Sequence, residues 1–259
     1  MTAMASGKLL VETDGPVRVI TINRPALKNA LDNETALALA AALGDFEADA
    51  QALVGVLTGA GGSFCAGADL KALAQGIDYF PWAGSEQGPL RAPLAKPVIA
   101  AVAGHACAGG LGVALFCDIR IAEEGATFGV FSRRWGVPMS DGTTVRLPRI
   151  VGLGHALDML LTGRAVSAAE ALAMGLCTRV VANGQARAHA IALAKQMASF
   201  PQIAMRSDRQ SALSQFDHPF AEAIAREAAI ALDARRQEAI SGARRFADGK
   251  GRHGDFSDI

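Results

Sequence analysis

The spacing of hydrophobic and polar residues changes several times along the chain, and each change predicts a new strand or helix. Residues 17–22 are almost all β-branched and follow a Gly-Pro turn, which predicts a strand paired as a hairpin with residues 9–12. Asp32 or Asn33 can cap the next helix. The apolar face of that helix is marked at helical spacing by Leu37, Ala40, Leu43 and Phe46.

The next part of the chain alternates between apolar runs and glycine-rich turns. Residues 53–58 predict a buried strand that ends in a flexible loop at 59–63. Residues 97–103 predict an apolar strand, an apolar helix opens at Gly109-Gly110 and runs to about Phe116, and residues 118–121 predict a short strand. This alternation of strands and helices favours an α/β core.

The pattern after about residue 142 is almost wholly helical. We therefore predict a core at residues 1–199 and a helical C-terminal region at residues 200–259, which should dock on its own core or on a partner subunit. Four apolar positions recur there at helical spacing, namely Phe220, Ile224, Ala228 and Ala231. Residues 79–91 contain two prolines and two glycines and predict a mobile loop.

Composition and charge exclude several function classes. The 25 basic and 25 acidic residues cancel, which argues against a large nucleic-acid footprint or a polybasic membrane patch. Residues 1–7 lack a secretory signal, and no apolar run approaches the ~20 residues of a membrane span, so we expect a soluble, cytoplasmic protein. Four cysteines without zinc-site spacing predict buried free thiols and no metal site: Cys65, Cys107, Cys117 and Cys177.

Two turns made of small residues carry the candidate chemistry. They lie at residues 63–71 and 104–112, each at a strand-to-helix junction. The first turn of a helix leaves backbone N–H groups without partners, and small side chains let a ligand approach them. Two such turns side by side can direct one N–H each at a single oxygen, as in an oxyanion hole. Taken alone, glycines in such a turn are more often structural, and the sequence has no dinucleotide, P-loop or GxSxG signature.

The combination of short motifs resembles one family over nearly the whole chain. The motifs are NRPALKNAL at 23–31, SFCAGADLK at 63–71, KPVIAAV at 96–102 leading into Gly109-Gly110, CDIR at 117–120, Phe128-Gly129, GVP at 136–138, Arg146-Leu147 and LTGR at 161–164. Their order and spacing are similar to those of the crotonase superfamily, also called the enoyl-CoA hydratase/isomerase family.

The resemblance implies an α/β fold, a crotonase-like spiral of ββα repeats with a helical C-terminal trimerisation region. It implies a homotrimer or hexamer and an acyl-CoA or enoyl-CoA thioester as ligand. Coenzyme A is then part of the substrate, and no separate cofactor or metal is expected. The backbone N–H groups of Ala68 and Gly109 match the family's oxyanion hole, which polarises the thioester carbonyl.

The resemblance also implies a set of residues that bind coenzyme A. Those in the core are Lys28, Ala66, Ala68, Asp69, Leu70 and Lys71. Phe246 and Lys250 resemble residues that reach the coenzyme A of a neighbouring subunit. For each of the three lysines, an ordinary solvated side chain is the alternative interpretation.

The chain departs from the family at both usual catalytic glutamates. By spacing, the first glutamate should lie three residues after Gly109, where this chain has Gly112. The second should lie four residues after Phe128, where this chain has Ser132. Hydration uses one group to activate water and another to protonate the α-carbon, so both positions matter for the reaction.

Asp141 is the acid that remains a candidate. Several branches of the family place a catalytic aspartate in this turn, and Asp141 is interpreted as the group that transfers a proton. The alternative is that an aspartate before Gly-Thr-Thr caps a helix. Glu123 and Glu124 lie just past a predicted strand and are interpreted as solvated loop charge.

Four further features are open to two interpretations each. Trp135 can line the acyl pocket, and an arginine of the pair at residues 133–134 can meet a substrate carboxylate or phosphate; the alternative is a surface pair with a packed indole. His105 is a possible base near the second turn. Cys65 and Cys107 flank the proposed oxyanion hole, where packing is favoured over nucleophilic catalysis.

The leading hypothesis is therefore an acyl-CoA thioester enzyme that stabilises a thioester enolate. Hydration, dehydration or double-bond isomerisation of an enoyl-CoA is the expected reaction, with C–C cleavage and decarboxylation left open. The alternative is a non-catalytic acyl-CoA-binding or assembly protein that kept the fold and lost its acid and base. Fold alone does not decide between them. RNA binding has little support because the net charge is zero.

Overall fold

The computed structural model describes residues 2–3 and 7–251. The strands are β1 Thr2–Ala3, β2 Leu9–Asp14, β3 Val17–Ile22, β4 Val54–Gly59, β5 Val98–Val102, β6 His105–Cys107, β7 Ile119–Glu123, β8 Thr127–Gly129, β9 Val166–Ser167 and β10 Arg179–Val181. The α-helices are α1 Asn33–Ala48, α2 Leu70–Ala74, α3 Gly109–Phe116, α4 Thr143–Thr162, α5 Ala168–Ala173, α6 Ala186–Ser199, α7 Gln202–Ser214, α8 Phe220–Ala234 and α9 Ile240–Ala247. Of residues 1–7, where the sequence analysis looked for a secretory signal, residues 1 and 4–6 lie outside the described residues.

The strands form one seven-stranded sheet and one three-stranded sheet. The larger sheet has the order β1-β2-β3-β4-β5-β7-β10, and the smaller has the order β6-β8-β9. The predicted hairpin is confirmed, with Leu9 opposite Ile22 in an antiparallel β2–β3 pair. From β3 to β10 the pairs in the larger sheet are parallel, which fits strands joined by crossing helices.

The repeating unit is two strands followed by a helix. Strand β5 lies in the larger sheet, β6 turns into the smaller sheet, and α3 follows; β7, β8 and α4 repeat the sequence. All five residues of β5 are buried, as expected for a parallel strand covered on both faces. This arrangement confirms the predicted spiral of ββα turns.

Helix α1 begins as predicted, but its buried face differs from the prediction. The Asp32 carboxylate accepts a hydrogen bond from the Thr35 backbone N–H at 2.8 Å and caps the helix. Leu37 was predicted on the buried face, yet it is exposed. Alanine and leucine occur on several sides of this helix, so its sequence does not single out one face. The buried side chains are Thr35, Ala36, Leu39, Ala42, Leu43 and Phe46.

The C-terminal end of α1 is stabilised by a buried lysine. The Lys96 ammonium donates to the backbone carbonyls of Phe46 at 2.8 Å and Asp49 at 2.6 Å, and it lies 5.1 Å from the centre of the Phe46 ring. A cation at this end of a helix satisfies carbonyls that have no partner within the helix.

We expect Lys96→Met to lower the free energy of unfolding by about 2 kcal/mol, because two carbonyls lose a charged donor while the side-chain stem is kept. Urea denaturation measures the change. Lys96→Arg, which keeps a cation, should be affected less. A Lys96→Met protein as stable as the parent would contradict this account of the helix end.

The chain divides into two compact units, Met1–Ala194 and Lys195–Ile259. Of the second unit, residues 195–251 are described, and they are helical apart from short turns. The predicted apolar spacing falls on α8, where Phe220 is 82% exposed and Ile224 is 49% exposed. Among the helices that the structure describes, none combines the length and the apolar character needed to cross a bilayer.

Candidate functional site

A cavity in the first unit collects most of the predicted catalytic residues. Its walls come from the two glycine-rich turns, from the segment around residues 79–82 and from residues 131–141. The lining residues that the sequence singled out are Ala66, Ala68, Leu70, Gly109, Ser132, Trp135 and Asp141.

The two glycine-rich turns approach each other closely at Gly67. A Cβ atom built on Gly67 would lie 2.9 Å from the backbone nitrogen of Gly109 and 3.0 Å from the carbonyl oxygen of Cys107. Gly67 also has φ +100°, a conformation that side-chain-bearing residues rarely adopt. Glycine at this position therefore brings the N–H of Ala68, the next residue, near the N–H of Gly109.

Neither of these two N–H groups is used by the fold. The backbone N–H groups of Ala68 and Gly109 donate no hydrogen bond to any residue that the structure describes. Gly109 is the first residue of α3, where a helix has unpaired donors. Two adjacent unpaired donors on one cavity wall can stabilise an oxygen that gains negative charge during a reaction.

Backbone strain accompanies the second turn. Ala108, which precedes α3, has φ +50° and ψ −124°, an uncommon conformation for a residue with a side chain. Its N–H donates to the carbonyl of Gly129 at 2.8 Å, which ties the turn to β8. Strain of about 1–3 kcal/mol per residue is tolerated mainly where the surrounding structure enforces it, and such residues cluster at functional sites.

The first turn is held in place by the segment at residues 24–31. Ala66 N–H donates to the Lys28 carbonyl at 3.0 Å, and Leu31 N–H donates to the Gly67 carbonyl at 2.8 Å. Asp69 N–H returns a bond to the Leu31 carbonyl at 2.9 Å. These three bonds fix the backbone on both sides of Ala68.

A partly buried arginine and a buried asparagine reinforce the same contact. Arg24 forms ion pairs with Asp69 at 2.9 Å and Asp32 at 3.1 Å. Asn29 is fully buried and donates to the carbonyls of Ala60 at 2.8 Å and Ser63 at 2.5 Å. The motif NRPALKNAL therefore has a physical role, because its arginine and asparagine lock the turn that presents Ala68.

Asp141 lies at the cavity wall and also at the start of a helix. It is 3% exposed, and one carboxylate oxygen accepts a hydrogen bond from the Thr143 N–H at 2.9 Å. Burial raises the pKa of this carboxyl above its usual range, while the bond from Thr143 and the charge of Arg146 oppose that shift. Helix α4 begins at Thr143 with Gly142 at the capping position, so Asp141 precedes the cap.

The carboxyl group of Asp141 occupies the space next to Gly112. A Cβ atom built on Gly112 would lie 2.5 Å from Cγ and 2.6 Å from Oδ2 of Asp141. Any side chain at position 112 would therefore collide with this carboxyl group. The glycine at position 112 and the aspartate at position 141 are therefore packed directly against each other.

Ser132, where the family resemblance predicts the second glutamate, supplies no carboxylate. It is buried, and its hydroxyl donates to the Met139 sulfur at 3.2 Å. Glu123 and Glu124 do not line the cavity, and the Glu123 carboxylate accepts a bond from the Ala186 N–H instead. Asp141 is thus the one carboxylate among the residues described as lining the cavity.

Several other predicted residues lie away from the cavity lining. Lys71 is exposed on the short helix α2, and the Asp69 carboxylate accepts from the Lys71 N–H as well as from Arg24. Lys28 lies near His105, whose pKa is lowered by burial and by that lysine. Phe246 and Lys250 are exposed in the second unit.

The cysteines near the turns are packed thiols. Burial raises the pKa of both Cys65 and Cys107 to about 12, so neither is ionised near neutral pH. All four cysteines are free and buried, as predicted. In the part of the chain that the structure describes, no cluster of three or more His, Cys, Asp or Glu side chains could hold a metal ion.

The two arginines at residues 133–134 contact the surrounding protein, whereas Trp135 lines the cavity. Arg134 stacks on the Phe131 ring at 4.7 Å and donates to the Gly163 carbonyl at 2.8 Å. Arg133 donates to the Leu160 carbonyl at 3.2 Å. Trp135 is not a packed indole, because it lines the cavity while 69% of its surface is exposed.

Sequence analysis missed Tyr79 and Trp82, which both line the cavity. They lie in the segment predicted as a mobile loop, but Trp82 and Leu90 of that segment are buried in the core. A Cβ atom on Gly109 would lie 2.4 Å from the Trp82 ring, so the indole packs directly on the second turn. Two aromatic residues amid prolines and glycines were the available signal for a packed segment.

Comparison with known proteins agrees with this architecture. The sequence profile described as enoyl-CoA hydratase/isomerase matches residues 12–253. Enoyl-CoA hydratase EchA19 of Mycobacterium tuberculosis is 40% identical over 215 residues, covering 80% of this chain and 81% of that protein. The short-chain-enoyl-CoA hydratase of Clostridium acetobutylicum is 36% identical over 213 residues, with 80% and 82% covered.

Solved structures show the same fold. The crystal structure of enoyl-CoA hydratase EchA1 from Mycobacterium marinum superimposes with a TM-score of 0.87 at 35% identity, covering 93% of this chain and 96% of that chain. The fold is therefore that of the crotonases. The chain belongs to the enoyl-CoA hydratase/isomerase family, and it is an enzyme of the lyase or isomerase type.

Proposed function

We propose that this protein transfers protons on an enoyl-CoA thioester, with Asp141 as the acid and base and the N–H groups of Ala68 and Gly109 as the oxyanion hole. The observation that carries the proposal is the presence of two unpaired N–H donors and one buried carboxylate on the same cavity. The thioester oxygen would lie between the two donors, where enolate charge is stabilised as it develops.

A single carboxylate suits double-bond isomerisation. The Asp141 carboxylate takes a proton from a carbon of the acyl chain, the electron pair moves to the thioester oxygen as an enolate, and the same proton returns to another carbon. Hydration is the second candidate, since relatives bear the name enoyl-CoA hydratase. Asp141 would then take the proton of the water that adds to the chain and supply the proton for the α-carbon.

The coenzyme A part of the substrate would lie along the first turn. Ala66, Leu70 and the exposed Lys71 follow the locked backbone beside Ala68, and Lys28 lies behind it. Asp69 would contribute through its backbone, because its carboxylate is paired with Arg24. Small residues such as Ala66 let a ligand approach the backbone, and the cations Lys71 and Lys28 suit a ligand that carries phosphate groups.

The proposal includes self-association as a trimer or hexamer. Large apolar side chains such as Phe220 and Ile240 are exposed in the second unit, at 82% and 64%. Exposed apolar surface of this kind is usually covered by a partner. Phe246 and Lys250, which are exposed there too, would then be available to a neighbour's coenzyme A.

The test is to incubate the protein with enoyl-CoA and saturated acyl-CoA thioesters in deuterium oxide while following mass and the absorbance of the conjugated double bond. Isomerisation changes the absorbance without the addition of water, whereas hydration adds the mass of one heavy water. Thioester binding without exchange or turnover across the panel would support the non-catalytic alternative and overturn the proposal.

A further inference from the structure

The tryptophan and tyrosine side chains of this chain are concentrated in the cavity. The whole sequence contains two tryptophans and one tyrosine, and all three line this cavity together with Phe131. Of the eleven phenylalanines in the sequence, Phe131 is the one described as lining it, so the cavity gathers the tryptophan and tyrosine side chains and not aromatic residues in general. We infer that the acyl part of the site selects an acyl group that carries an aromatic ring, an inference that rests on the proposed thioester function.

The rings are held at different depths of the cavity. Trp82 is 3% exposed and packs against Gly109, next to the proposed oxyanion hole. The Tyr79 ring lies 6.4 Å from the Trp82 ring, centre to centre, with the two planes tilted by 54°. Trp135 is 69% exposed and marks the outer part of the lining.

The two segments that carry these rings are tied to each other. Ala83 N–H donates to the Ser140 carbonyl at 3.1 Å. Arg146 donates to the carbonyls of Asp141 at 3.0 Å and Leu90 at 2.9 Å, bridging the same two segments. The segment that carries Tyr79 and Trp82 is therefore tied to the segment that carries Asp141 before substrate arrives, which reduces the entropy lost on binding.

Aromatic walls distinguish a ring from a linear chain of equal carbon number. A linear chain gains free energy from buried apolar area alone. A ring placed among Tyr79, Trp82 and Trp135 gains in addition from tilted or offset aromatic contacts. Trp135 supports this selection because a large exposed indole beside a binding site gains most when a flat ligand covers it.

The experiment measures binding of two saturated thioesters with the same number of carbon atoms, 3-phenylpropanoyl-CoA and nonanoyl-CoA, so that no turnover interferes. Both tryptophans line the cavity, so quenching of intrinsic tryptophan fluorescence reports its occupation directly. We expect the phenyl thioester to bind about five- to tenfold more tightly than the linear thioester, because its ring makes aromatic contacts that the linear chain cannot make.

Two variants of Trp135 distinguish aromatic contact with the ligand ring from general apolar contact with the acyl chain. Trp135→Ala should weaken binding of 3-phenylpropanoyl-CoA about five- to tenfold and of nonanoyl-CoA less than about twofold, with Trp82 as the remaining reporter. Trp135→Phe should keep the preference for the ring. Leu172→Ala, at another exposed apolar side chain outside the cavity lining, should change neither Kd.

Nonanoyl-CoA binding as tightly as the phenyl thioester, or a preference that survives Trp135→Ala, would overturn the inference while leaving thioester binding intact. Failure of both thioesters to bind would instead overturn the proposed function, and this inference with it. The two failures are therefore distinguishable in one titration series.

Discussion

Asp141→Asn should lower kcat by roughly 10²- to 10⁴-fold while leaving the Kd of a saturated acyl-CoA thioester unchanged. Asparagine keeps the shape of the side chain and can still accept the Thr143 N–H bond, but it cannot take up a proton. Steady-state kinetics with the best enoyl-CoA of the panel, together with a binding titration, measures both quantities.

The pH dependence follows from the burial of Asp141. Burial raises the pKa of this carboxyl, and the reaction needs the ionised form as the base. We therefore expect kcat/KM to fall as pH is lowered through a pKa above the ordinary aspartate range, and the residual activity of Asp141→Asn to lack that step. Full activity in the variant would remove Asp141 from the mechanism.

Stability separates the catalytic role from a capping role. The folded-state pKa is raised above the unfolded value, so the group's stabilising contribution is present below the unfolded pKa and is lost as pH rises through the folded pKa. Asp141→Asn, which is always neutral, should be more stable than the parent near pH 7. If Asp141 served only to cap α4, asparagine would keep the Thr143 bond, and the variant would be about as stable as the parent and fully active.

Ser167 provides the matched control for a cap. Its hydroxyl accepts the Glu170 N–H at 3.2 Å at the start of α5, and it does not line the cavity. Ser167→Ala should lose about 0.5–2 kcal/mol of stability, as cap removals do, with kcat unchanged. Ser167→Ala therefore shows what the loss of a cap does to stability away from the site, whereas a gain of stability together with a loss of kcat in Asp141→Asn would mark a buried catalytic carboxylate.

The features that sequence analysis predicted correctly depend on neighbouring residues. The β2–β3 hairpin follows from a Gly-Pro turn between β-branched runs, and α3 follows from glycines that open an apolar helix. The approach of the two turns was predicted in outline, because small residues occur at both. Each of these features is determined by residues that are close together in the sequence.

The features that sequence analysis missed depend on contacts between side chains and glycines that are distant in the sequence. Trp82 packs on Gly109, and the Asp141 carboxyl fills the space beside Gly112, although neither pair is close in sequence. A glycine within an apolar helix gives no indication of which side chain lies against it. The sequence therefore showed that Gly112 lacks a carboxylate, but not that Asp141 occupies the space this leaves.

Gly112→Ala should therefore lower kcat about 10²-fold, although alanine is the better helix former. Its Cβ would lie 2.5 Å from Cγ of Asp141, so the carboxyl must move, and a displacement of about 1 Å at a catalytic group can cost that factor. Gly44 is the matched control, since it lies within α1 with no atom near its Cβ position. Gly44→Ala should keep full activity and gain about 0.5–1 kcal/mol of stability.

The double variant Gly112→Glu with Asp141→Gly tests whether the two positions form one arrangement. Gly112→Glu alone should be inactive, because two carboxyl groups compete for one space, and Asp141→Gly alone should be inactive for lack of an acid. Together they place a carboxyl from α3 in the vacated space, so part of the proton-transfer activity should return. Such non-additivity is the expected signature of two residues in contact. A fully active Gly112→Ala protein, or a double variant no better than the product of its two single changes, would show that the two positions are independent.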